Sequence, residues 1–104
     1  MKSAILSASA RRDLAAASRW ISRDNPMAAR ALRQAVVSAA ERIAKHPLIG
    51  VARRDLLGEP YRFLILGSFP YVIVYNAART PPLIMRVLHG ARDLRNALRD
   101  LQWP

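Results

Sequence analysis

Residues 10–21 and 28–43 each carry an apolar stripe at helical spacing, with only the break "RDNP" (23–26) between them. In the first, Ala10, Leu14, Ala17 and Ile21 recur every three or four positions. Arg11, Arg12, Asp13, Arg19 and Arg23 take the other sides. In the second, Ala28, Leu32, Ala35, Val36, Ala39 and Ile43 run for about five turns, to "KHP" (45–47). Asn25 is placed to cap the second helix, and Pro26 suits its first position because it lacks the amide that would go unpaired there. So short a link forces the helices to pack antiparallel. Eighteen alanines, against seven aromatic residues, allow them to approach closely.

After Gly50 the pattern changes. "YRFLIL" (61–66), "YVIVYN" (71–76) and "LIMRVLH" (83–89) are rich in β-branched and aromatic residues. The short separators 67–70 and 77–82 contain Gly, Pro and Asn, so an antiparallel meander is expected. Weaker strands are expected over Lys2–Ser7 and Val51–Leu56. A short final helix is expected over 91–101, with Leu94, Leu98 and Leu101 on one side. The order implies an α+β fold: an N-terminal strand and a helical hairpin packed on a small, mainly antiparallel sheet. The hairpin covers one face, and little sequence remains to cover the other.

The chain is 104 residues long and 52% apolar, which suits a single domain with its own core. It has no cysteine, which excludes disulfides and thiolate chemistry. The longest charge-free stretch, Phe63 to Ala78, is broken by Gly67 and Pro70 and is too short to span a bilayer. The opening "MKSAILSASARR" has too small an apolar run for a secretory signal, so a cytoplasmic protein without membrane contact is expected. The net charge is +10, and fifteen of the seventeen cationic residues are Arg, which pairs well with phosphate or carboxylate partners.

Little of the usual catalytic chemistry is present. Two histidines without carboxylates at ligand spacing do not make a metal site, and His46 reads as a helix-end residue. "GSFP" (67–70) is not a phosphate loop, and no serine sits in a nucleophile elbow. Asp55 and Glu59 fall in a polar loop. No cofactor is expected. What remains is a set of Arg, Tyr and His on β elements: Arg53, Arg54, Tyr61, Arg62, Tyr71, Tyr75, Arg86, His89 and Arg92. Such a set suits RNA by phosphate and stacking contacts, or a protein partner. Strict alternation puts Arg86 with Ile84 and Leu88, and His89 with Met85 and Val87, so the two do not line one site if the strand is regular.

"LSASARRDL" (6–14), "NPMAARAL" (25–32), "RIAKHPLIG" (42–50), "YRFLILGSFPYVIVY" (61–75) and "IMRVLHGARD" (84–93), in that order, resemble the RelE/ParE superfamily of type II toxin–antitoxin toxins. The resemblance covers nearly the whole chain. It implies a toxin neutralised by an acidic, partly disordered antitoxin in a hetero-oligomer that reaches operator DNA only through the antitoxin. RelE-like members cleave mRNA on the ribosome, whereas ParE-like members poison DNA gyrase. The nuclease pattern asks for Arg after the Tyr of the middle strand, where this chain has Val72. It also asks for Tyr some six residues beyond Arg92, near which this chain has Leu98. The ParE-like branch is therefore expected, with no catalytic residue. Arg62, Arg86, His89, Arg92 and Trp103 become candidates for binding the target. Tyr61, Phe63, Tyr71, Tyr75, Leu94 and Leu98 become candidates for binding the antitoxin. The alternative, a nuclease, would use Arg54, Arg62, His89 and Arg92. A further alternative is an inactive relative kept for antitoxin binding and regulation.

Overall fold

The computed structural model describes residues 2–90 and 92–100. Its elements are β1 (Ile5–Leu6), α1 (Ala8–Ser22), α2 (Pro26–Lys45), β2 (Tyr61–Ile65), β3 (Tyr71–Asn76), β4 (Leu83–His89) and α3 (Leu94–Asp100). The four strands form one sheet in the order β1-β4-β3-β2, with β1 parallel to β4 and the other pairs antiparallel. This is the expected α+β layer of a helical hairpin on a mainly antiparallel sheet.

The hairpin forms as the sequence dictates. Asn25 Oδ1 accepts the Ala28 amide at 3.1 Å, and Pro26 opens α2. Ala10, Ala17, Ala39 and Ala40 are buried between the helices and the sheet, together with Leu32, Val36 and Ile43. Ile73, Tyr75, Ile84 and Val87 meet them from the sheet.

Four expectations need correction. The first strand is two residues rather than Lys2–Ser7, because Ser7 Oγ accepts the Ala10 amide and starts α1 there. Val51–Leu56 is not a strand. Val51 makes one bridge to Phe63, after which the Arg53 carbonyl accepts the Leu56 and Leu57 amides and turns the chain. The last helix starts at Leu94, after a turn in which the Asp93 amide bonds the His89 carbonyl; Leu101 lies outside the described residues. The second sheet face is also less bare than expected. Phe63, Val74 and Leu88 form a small core there under Leu56, Leu57, Leu94 and Ala97.

Strand β4 is also irregular. Val74 pairs with Arg86 but Tyr75 pairs with Ile84, so Met85 is an extra residue. One inserted residue resets the alternation. Ile84 and Val87 therefore both join the hairpin-side core, and Arg86 does not share a face with Ile84 as strict alternation required.

Tyr75 fixes the loop after α2. Its hydroxyl donates to the Pro47 carbonyl at 2.6 Å and accepts the Gly50 amide at 2.9 Å. A Cβ on Gly50 would lie 2.8 Å from the Tyr75 ring and 3.0 Å from the Phe63 carbonyl oxygen, so only glycine fits. Tyr75→Phe strands the Gly50 amide and the Pro47 carbonyl and should cost about 2 kcal/mol in urea unfolding. Burial pushes the Tyr75 phenol above its ordinary value. The unfolded chain therefore ionises this group first as pH rises past about 10. Its contribution is full below that pH and declines above it, and the Phe variant should lack this alkaline component.

Candidate target-binding cleft

Beyond Ile84, β1 no longer covers the edge of β4, and side chains take over. Ser7 Oγ donates to the Met85 carbonyl at 2.9 Å. From the second turn of α1, Asp13 Oδ2 accepts the Val87 amide at 3.0 Å. The same carboxylate holds Arg86 in a two-point pair, Nε to Oδ2 at 2.6 Å and Nη2 to Oδ1 at 2.8 Å. Both side chains are largely buried, at 21% and 15% exposure. The hydrogen bond to Asp13 raises the Arg86 pKa further, so the guanidinium stays charged.

This pair forms the floor of an open cleft of about 450 Å³ between α1, the end of β4 and the start of α3. Ala16, Ala17 and Trp20 line one wall, and Arg92, Asp93 and Asn96 line the other. Trp20 is 61% exposed, with the Arg23 guanidinium 5.3 Å from its ring centre. Tryptophan and arginine are among the residue types enriched at binding hot spots. Arg92 is exposed and pairs with Asp93 at 3.2 Å, and that hydrogen bond raises its pKa. Arg92 and Asn96 also line a second cleft of about 380 Å³ with Arg53, Leu56 and Arg95.

The candidate residues separate into groups. His89 is half-buried at the cleft end of β4. Its ring meets Tyr71 edge-on at 5.5 Å, and its Nδ1 accepts the Arg92 amide at 3.2 Å. Arg86 and Arg92 line the cleft, whereas His89 packs on Tyr71 beside it and does not. Arg62 is elsewhere: its guanidinium donates to the Gly50 carbonyl at 2.8 Å and lies 3.5 Å from Glu59. Arg54 is exposed in the loop before β2. Tyr61, Phe63, Tyr71 and Tyr75 are all buried, so their rings are core rather than surface. Leu94 is half-buried against the second core, Leu98 lies in α3, and Trp103 lies outside the described residues. No group of three or more His, Asp or Glu side chains able to hold a metal occurs among the described residues.

Sequence reasoning missed Trp20 and Asp13. Trp20 lies off the apolar stripe of α1, and that displacement was a readable signal. Asp13 was not readable as a site residue, because its partner Arg86 is 73 positions away.

Two comparisons bear on this arrangement. A family model described as the ParE toxin of the type II toxin–antitoxin system, parDE, matches residues 4–94. Toxin RelE3 of Caulobacter vibrioides is 33% identical over 90 residues, covering 86% of this chain and 96% of that protein.

Asp13→Ala leaves the Arg86 charge and the Val87 amide without their partner. It should cost about 2–3 kcal/mol in denaturant unfolding. In a double-mutant cycle with Arg86→Ala the two losses should be clearly less than additive, because both remove the same pair.

Proposed function

Because this chain belongs to the ParE toxin family of type II toxin–antitoxin systems, we propose that it poisons DNA gyrase by binding and is no nuclease. Family membership implies a cognate antitoxin as partner. In this proposal the chain acts as one toxin domain in the cytoplasm, where gyrase works. It is silenced in a hetero-oligomer with an acidic antitoxin that its net charge of +10 attracts.

The observation that carries the reading is that Arg62, one of the would-be nuclease residues, stands apart from His89 and Arg92. Arg62 pairs across the sheet with Tyr75, whereas His89 pairs with Tyr71. Four residues of strand separate those positions, roughly 13 Å. Arg62 is also engaged by backbone carbonyls, and His89 Nδ1 by the Arg92 amide. Val72, where the nuclease pattern asks for Arg, packs onto the second core. Arg62 and His89 therefore do not face a common point. The Trp20–Arg92 cleft, by contrast, offers an aromatic anchor and an exposed cation without bond-breaking chemistry, which suits capture of a protein target.

In a supercoiling and cleavage assay the toxin should inhibit purified gyrase and accumulate cleaved DNA, and its antitoxin should reverse both effects. Trp20→Ala and Arg92→Ala should each weaken inhibition about tenfold or more while the fold, checked by circular dichroism, is kept. A ribosome-dependent mRNA nuclease is the second reading, favoured by the name of the Caulobacter relative, Toxin RelE3. Cleavage of ribosome-bound mRNA with no effect on gyrase would establish it in place of the first.

A further inference from the structure

The end of the molecule opposite the Trp20 cleft carries a cation cluster that the proposed toxin action does not use. Lys2, Ser38, Glu41, Arg42, Ala44 and Lys45 line one cleft of about 620 Å³. A second, of about 350 Å³, shares Lys2 and Ala44 with it and adds Arg79 and the prolines Pro47, Pro81 and Pro82. Three separate parts of the chain thus bring Lys2, Arg42, Lys45 and Arg79 to one continuous surface. All four are exposed, and none is in an ion pair among the described residues. Among the described residues Glu41 is the one carboxylate lining either cleft. Pro82 borders this surface and Arg86 is the nearest residue of β4 lining the Trp20 cleft, so four residues of strand, roughly 13 Å, separate the two.

The C-terminal dipole of α2 accounts for the sign of Arg42 and Lys45, which stand in its last turn. It does not account for Lys2 or Arg79, which come from other parts of the chain. The chemistry of the walls narrows the ligand. Protein hot spots are built on exposed aromatic or large apolar anchors. Among the described residues the exposed large apolar side chains, Trp20, Met27, Leu48 and Ile65 among them, lie outside both clefts. Single-stranded nucleic acid is held by stacking on aromatic rings, and no aromatic residue among the described ones lines either cleft. Exposed, unpaired cations spread along small, polar and proline-rich walls fit an evenly charged backbone instead.

We propose that Lys2, Arg42, Lys45 and Arg79 form a sequence-independent contact surface for the phosphate backbone of duplex DNA. The contact does not rest on which target the toxin poisons. It would place the toxin's own charge on DNA, in addition to contact made through an antitoxin.

The test is fluorescence anisotropy of a labelled duplex of about 20 base pairs with the full chain, at several salt concentrations. Neutralising four phosphates gives a log–log salt slope of about −3.6. The quadruple variant Lys2→Gln, Arg42→Gln, Lys45→Gln, Arg79→Gln should bind about tenfold more weakly or worse, with the slope reduced. A control with the same charge change, Arg12→Gln, Arg19→Gln, Arg30→Gln, Arg33→Gln, should keep most of the affinity and the slope. Circular dichroism and thermal melts confirm that both variants fold. Equal losses in the two variants would overturn the proposal, leaving bulk charge as the cause. So would a wild-type chain that does not bind duplex. Displacement of the duplex by poly-glutamate at equal charge concentration would overturn it in favour of an acidic protein segment.

Discussion

The Asp13 carboxylate joins the two layers of this fold at the point where the sheet runs out of strand. Strand β1 covers only Leu83 and Ile84 of β4. The next outward amide, that of Val87, would meet water or a stray strand without Asp13. Because Asp13 comes from α1, the same contact locks the hairpin over β4 and sets the direction in which Arg86 points. The cleft beside it, with Trp20 on one wall and Arg92 on the other, takes its geometry from that lock.

The bulge at Met85 works with this pair. Without the extra residue, Arg86 would stay in phase with Ile84, which is completely buried in the hairpin-side core. A guanidinium there would have to be dehydrated with no partner on the sheet. The shift in register removes it from that layer and delivers it to the β4 edge, where Asp13 neutralises it. Tyr75, on the other side of the same irregularity, uses its hydroxyl to anchor the loop from α2 into β2. One inserted residue thus separates the structural end of the sheet from the end that carries the cleft.

Much of this was legible in the residues, and what was not has a physical reason. Asn25-Pro26 and the two stripes define the hairpin because caps and periodicity are local. Strands 71–76 and 83–89 stand where their β-rich composition places them. The first strand was overextended because Ser7 is both a strand neighbour and a helix cap, and the cap prevails. The bulge, the Asp13–Arg86 pair and the carbonyl contacts of Arg62 depend on segments distant in sequence. Tyr71, Tyr75 and Phe63 illustrate the same limit: aromatic residues on a small sheet look alike as surface or core until the hairpin is seen to cover the first two, and the loop and α3 the third.

A toxin that acts by capture and one that acts by turnover differ in stoichiometry before they differ in anything else. The most direct measurement titrates the toxin, freed of its antitoxin, against a fixed concentration of gyrase well above the dissociation constant, reading residual supercoiling. Capture predicts that inhibition rises linearly and breaks at equimolar toxin, and that Asp13→Ala weakens it by disordering the cleft. Intact gyrase activity at the equivalence point, with mRNA lost at toxin concentrations far below that of ribosomes, would contradict it.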